Sequence, residues 1–163
     1  MLKLRIDEPL IRITITNEQS ALRINRRRLA AAVRAALRGE NLSHARISLA
    51  VVDDPRIHAL NRQFLVHDWP TDVLSFVLEQ SDGDLEGEIV VSAQRAAAES
   101  GRYGWGPDEE LLLYVVHGAL HLAGLRDARP ADRRAMRRRE KECLAGLGIE
   151  IVAKTAKQGG RPR

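Results

Sequence analysis

One cysteine, Cys143, stands in a chain of 163 residues. It forbids an intramolecular disulfide and excludes every zinc module built on paired cysteines. Long apolar runs are missing as well: the longest, residues 111–116, is six residues, against the roughly 20 that a membrane-crossing helix needs. The first residues, Met1 to Asp7, carry charge throughout and hold no apolar core of a secretory leader, so a cytoplasmic location and no membrane partner are expected. Aromatics make up 4% of the chain, too few for a platform that stacks bases, although Trp69 and Trp105 remain individual candidates. Histidine is scarce too: His44, His58, His67, His117 and His121 are all there are. Any metal therefore has to be held by His, Asp or Glu.

What is present is the composition of a folded domain, with 44% hydrophobic and 29% charged residues. The length suits a single domain, taken here as residues 1–153, followed by a flexible basic tail, 154–163, that contains Gly159, Gly160 and Pro162. The net charge of +4 is uneven. Residues 126–163 hold 12 Lys/Arg and 5 Asp/Glu, a net of +7, which leaves −3 for the rest of the chain. Residues 11–16 alternate apolar and polar side chains and read as a strand. Asn25 then caps a helix whose apolar positions, Leu29, Ala32, Val33, Ala36 and Leu37, end at Gly39. Residues 45–52 form a strand, and Asp53-Asp54-Pro55 opens a helix carrying Ile57, Leu60 and Phe64. Residues 72–78 and 85–92 flank the turn residues Ser81 to Asp84 and predict an antiparallel hairpin. Helices follow over 92–103, from 107 or 108 to Gly124, and over 130–145. The order β-α-β-α-β-β-α-α-α predicts an α+β fold, with a small mixed sheet of about four strands and helices packed on it.

The sharp feature is His117-Gly118-Ala119-Leu120-His121, with Gly124 three residues on and Asp127 three further. On a helix, residues i and i+4 share a face about 5–6 Å apart, so the two imidazoles can bind one cation. Gly124 fits the left-handed turn that ends a helix, and Asp127 follows in the loop as a third ligand. The spacing resembles the metzincin zinc helix, in which the last ligand is usually His. Two imidazoles and a carboxylate leave a position open for a water, which bound zinc activates. Packing and hydrogen bonding are the competing account of the His pair, and an ion pair with Arg126 or Arg129 is the competing account of Asp127. Zinc proteases carry Glu after the first His as general base; here that residue is Gly118. RNA, whose 2′-hydroxyl helps with its own proton transfer, tolerates that loss better than a peptide does.

The stretch from His117 to Gly124 resembles the H-G-x-L-H-L-x-G-Y-D-H signature of the YbeY family of metal-dependent endoribonucleases and ribosomal RNA maturation factors. Leu60, Asn61, Phe64 and the run Asp68-Trp-Pro-Thr-Asp-Val-Leu-Ser-Phe76 resemble a second family stretch. Gly87-Glu-Ile-Val-Val-Ser92 is similar to a third. The resemblance covers about residues 45–145. It implies a mixed sheet beneath the zinc helix, one Zn2+ per chain, a ribosomal RNA precursor as single-stranded substrate, and the ribosome or its proteins as partners, with no small-molecule cofactor. Two departures matter. The family's third His falls on Asp127, and its Arg after the aromatic falls on Leu65, so no protein catalytic residue is assigned. Arg62 and Arg126 are the candidates to stand in for that Arg. Arg129, Arg133, Arg134, Arg137, Arg138, Arg139 and Lys141 follow the metal loop, where a basic helix would hold a phosphate backbone; Arg62, Arg126, Arg129 and Arg133 are the chosen substrate-binding candidates. Asp72 and Ser75 line the substrate groove or order the metal loop on one account; on the competing account Thr71 and Asp72 cap the strand after Pro70. A non-catalytic ribosome-assembly factor with a structural metal is the alternative, and a metallopeptidase is the less favoured one.

Overall fold

In the computed structural model the described residues are 8–65 and 71–151. The elements follow the expected order: β1 (Leu10–Glu18), α1 (Arg26–Leu37), β2 (His44–Val52), α2 (Asp54–Leu65), β3 (Val73–Ser81), β4 (Asp84–Ser92), α3 (Ala93–Glu99), α4 (Pro107–Leu122) and α5 (Pro130–Gly146). The expected tail, 154–163, and the loop with His67, Asp68 and Trp69 lie outside the described residues. The four strands form one mixed sheet in the order β1-β2-β4-β3. β1 and β4 flank β2 in parallel, and β3 runs antiparallel to β4. The hairpin turn has Asp82 and Gly83 at φ 40° and 87°, the positive pair that matches the twist of paired strands.

Local signals explain the elements. The Asn25 side chain accepts the Arg28 N–H at 3.2 Å and starts α1. The Asp53 carboxylate accepts the Arg56 N–H at 2.9 Å and starts α2. The helix expected over 92–103 stops at Glu99, because Gly101 and Gly104 turn the chain at φ 94° and 74°.

Strand alternation divides the sheet into two faces. Ile47, Leu49, Val51, Leu85, Ile89 and Val91 point to the main core, which α1, α4 and α5 complete through residues such as Leu29, Val33, Leu120 and Leu144. The opposite face carries a smaller cluster of Val52, Leu74 and Val90, covered by Ile57 of α2. α4 is buried along nearly its whole length. Two glycines let it lie close to the sheet. A Cβ on Gly118 would stand 2.8 Å from Ile89 and 2.9 Å from Val73, and a Cβ on Gly87 would stand 2.9 Å from Leu122. All three distances are shorter than real Cβ contacts, so Gly118, held between two β-branched side chains, excludes a larger residue, while at Gly87 the tip of Leu122 would have to move. The Ser75 hydroxyl donates to the Gly118 carbonyl at 2.9 Å and ties β3 to the same turn of helix.

Candidate metal centre

The last two turns of α4 carry His117 and His121 on one edge, with ring centroids 4.5 Å apart. The helix then ends in a Schellman motif. The Leu125 N–H donates to the Leu120 carbonyl and the Gly124 N–H to the His121 carbonyl, each at 3.0 Å, with Gly124 at φ 102°. That turn does two things. It aims the Leu125 carbonyl back at His121, where it accepts from Nδ1 at 2.9 Å, and it swings Asp127 over the imidazoles. Asp127 Oδ2 stands 3.4 Å from the Nε2 of His117 and 3.4 Å from that of His121. The two Nε2 atoms are 3.0 Å apart. All three side chains are partly exposed, and one ligand atom from each lies within 4.8 Å of the others. Of the two competing accounts of Asp127, the geometry favours the shared site: its carboxylate faces the imidazoles, and no ion pair with Arg126 or Arg129 occurs among the described residues.

The donor set fits a cation. A backbone carbonyl only accepts, so His121 Nδ1 must carry its proton. The buried Glu140 carboxylate stands 2.6 Å from His117 Nδ1 and accepts there. Both Nε2 atoms therefore turn lone pairs toward each other and toward a carboxylate, an arrangement that repels itself unless a positive charge sits between them. Four donors about 2.0–2.1 Å from a tetrahedral centre stand roughly 3.3 Å apart, close to the observed 3.0–3.4 Å. The electrostatics agree. Burial opposes the imidazolium of His117, but the hydrogen bond to Glu140 and the charges of Glu140, Asp127 and Asp72 outweigh it, so its pKa stands above the usual histidine value.

The centre opens into a cleft of about 660 Å³ between β3, an outer strand, and the end of α4. Thr71, Asp72, Ser75, Gln80, Leu65 and Arg126 are in its wall. Asp72 does both things its position suggested: its carboxylate accepts the Val73 N–H at 2.8 Å at the start of the strand, and it lines the cleft. Of the four arginine candidates, the wall includes Arg126 and not Arg62, Arg129 or Arg133 among the described residues. Arg129 is the N-cap of α5. Arg133 donates to the Ala128 carbonyl at 2.8 Å and, more weakly, to that of Asp127 at 3.5 Å. Trp105 is engaged elsewhere, donating to the buried Glu110 at 2.8 Å. Cys143 packs in the core, where burial pushes its thiol pKa up. Sequence reasoning missed Glu140. The available signal was a carboxylate in line with Met136, Cys143 and Leu144 on the apolar face of a helix.

A helix-borne His pair joined by a loop carboxylate, open to a cleft over a mixed sheet, is the arrangement of a candidate metal-dependent hydrolase. The sequence profile of the family described as endoribonuclease YbeY matches residues 14–148, so the chain belongs to the YbeY endoribonuclease family. The chain is similar to the endoribonuclease YbeY of Rhodopirellula baltica, 43% identical over 77% of this chain and 66% of that one. To the protein of that name from Desulfitobacterium hafniense it is 41% identical over 64% and 73%. To that of an Anaeromyxobacter species it is 37% identical over 93% and 79%. The matches thus span about two thirds to four fifths of these relatives' own lengths. Its fold is similar to the solution structure of a Thermotoga maritima protein, with 25% identity, a TM-score of 0.52, and 93% of this chain and all of that one covered. No helix among the described residues is long and apolar enough to cross a membrane.

Proposed function

We propose that this chain is a zinc-dependent, single-strand-specific endoribonuclease that matures ribosomal RNA in the cytoplasm, as one domain over residues 1–153. The observation that carries the reading is the convergence of His117, His121 and Asp127 at the floor of a cleft whose wall includes Arg126. These three residues would hold the cation. When bound, zinc supplies Lewis acidity at a phosphoryl oxygen and lowers the pKa of a coordinated water. The chain's own groups do the rest. Arg126 holds a substrate phosphate against the cleft wall. Arg62, Arg129 and Arg133 are further cations for the flanking backbone, whose contribution falls with salt. Gly118 supplies no base and has no room for one, which speaks against peptide hydrolysis and for a substrate carrying its own 2′-hydroxyl.

A second reading rests on Leu65. This residue puts an apolar side chain in the cleft wall at the position of the family's arginine, which suits an assembly factor on the ribosome that keeps its metal as structure. Two measurements test them: the first checks the metal that both readings require, and the second separates them. Metal analysis should give one zinc per wild-type chain and none for His121→Ala; equal content in both would sink the site. A labelled single-stranded ribosomal RNA precursor should be cut by the wild type and spared by His117→Ala. No cutting by a zinc-loaded wild type would favour the assembly role.

A further inference from the structure

α5 lies behind the centre, and its inward edge is not what a packing helix needs. Met136, Cys143 and Leu144 are buried against α4 and α1, and between them sits Glu140, also buried. An ionised carboxylate there is costly unless it is paired, and a leucine or methionine would pack with no such penalty. The carboxylate has a specific engagement: it accepts a hydrogen bond from the Nδ1–H of His117 at 2.6 Å. Seven residues earlier, two turns along and on the same side of the helix, Arg133 donates to the carbonyls of Ala128 and Asp127. One helix therefore reaches two of the three proposed ligands, one through its ring and one through its backbone. The third, His121, is oriented by its own helix end through Leu125.

We infer that α5 is the brace of the metal centre: Glu140 and Arg133 are positioning residues, the first holding His117 in the Nδ1–H tautomer that presents Nε2, the second holding the loop that presents Asp127. This rests on the reading of His117, His121 and Asp127 as a cation site. Neither brace residue needs to touch substrate. A neutral imidazole that loses its Nδ1 acceptor is free to move its proton to Nε2 and to rotate, and either change removes the lone pair from the site. Partners of this kind typically account for about 10–100-fold in metal affinity.

Two readouts test it, both on the full chain: nitrogen-15 NMR of the histidine rings in metal-free protein above the imidazole titration range, and zinc affinity by competition with a chromogenic chelator. Wild type should show His117 as the Nδ1–H tautomer. Glu140→Leu should show a mixture containing Nε2–H and bind zinc about 10–100-fold more weakly. Glu140→Gln keeps an accepting oxygen, so it should hold the tautomer and stay within several-fold of wild type; it also guards against a Leu variant that fails to fold. Arg133→Ala should leave the tautomer alone and weaken zinc several-fold, with Arg133→Lys recovering part. A Glu140→Leu protein that folds, keeps the Nδ1–H tautomer and binds zinc like wild type overturns the assignment of Glu140. Unchanged zinc affinity in Arg133→Ala removes Arg133 from the brace. Should wild type bind no zinc, the cation reading falls, and the tautomer arm alone still decides whether Glu140 sets the ring.

Discussion

The two faces of the sheet are packed on different terms. On the side that bears the candidate metal centre, Gly118 and Gly87 remove the side chains that would separate helix from strand, and α4 sits close against β3 and β4. On the other side α2 stands over a small buried cluster of Val52, Leu74 and Val90, with Ala50, Leu60 and Phe76 only partly buried against it. It leaves a groove of about 620 Å³, where Phe64 and Leu78 stay more than half exposed beside Thr14, Ser48 and Glu88. The difference shows where positional accuracy is spent. Two imidazoles and a carboxylate have to meet within a few tenths of an ångström, so the helix carrying two of them is buried and tightly seated. No comparable cluster of metal-ligating groups occurs on the other face among the described residues, and its packing is correspondingly loose.

The largest blow to the contrast comes from the centre itself. His121→Ala should lower RNA cleavage by at least about 100-fold, more than the loss of an outer partner usually brings, with the fold intact by circular dichroism. Gly118→Ala should destabilise by about 1–3 kcal/mol in urea unfolding, because its Cβ has nowhere to go. A neutral result would mean that the helix is not seated as tightly as the contacts require. Gly124→Ala should cost about 1–2 kcal/mol for the left-handed turn and weaken zinc binding in step, since the same turn aims Leu125 and Asp127. The outer face of α5 exposes Arg134, Arg137, Arg138 and Lys141. Replacing all four by Gln should flatten the salt dependence of binding to single-stranded RNA by about 0.7 in the log–log slope for each phosphate that is no longer neutralised. On the loose face, Thr14→Ala should stay within about 0.5 kcal/mol of wild type; a larger loss would show that this face is more constrained than its groove suggests.

Much of this is legible in the chain alone. Strand alternation in residues 45–52, the cap at Asn25 and the Asp82-Gly83 turn are local, and local chemistry alone is enough to place them. The His117–His121 pair and the stop at Gly124 are equally readable, because they lie within two turns of one helix. β1 and β3 run longer than alternation predicts, since exposed polar residues at strand ends, such as Asn17 and Gln80, carry no periodic signal while the pairing register still includes them.

The sequence by itself determined the element order, the spacing of the candidate ligands and the lack of a base beside His117. Only the tertiary structure decided that Asp127 faces the imidazoles and not the neighbouring arginines. It also brought Arg126 to the cleft wall without Arg62, and it set Glu140, 23 residues along the chain, against His117. The physical reason is one of range. Helix periodicity and turn chemistry act over a few residues and are written in order along the chain. Which acceptor meets a given imidazole nitrogen depends instead on how closely two helices and a sheet approach, and two glycines with the buried edge of α5 set that distance.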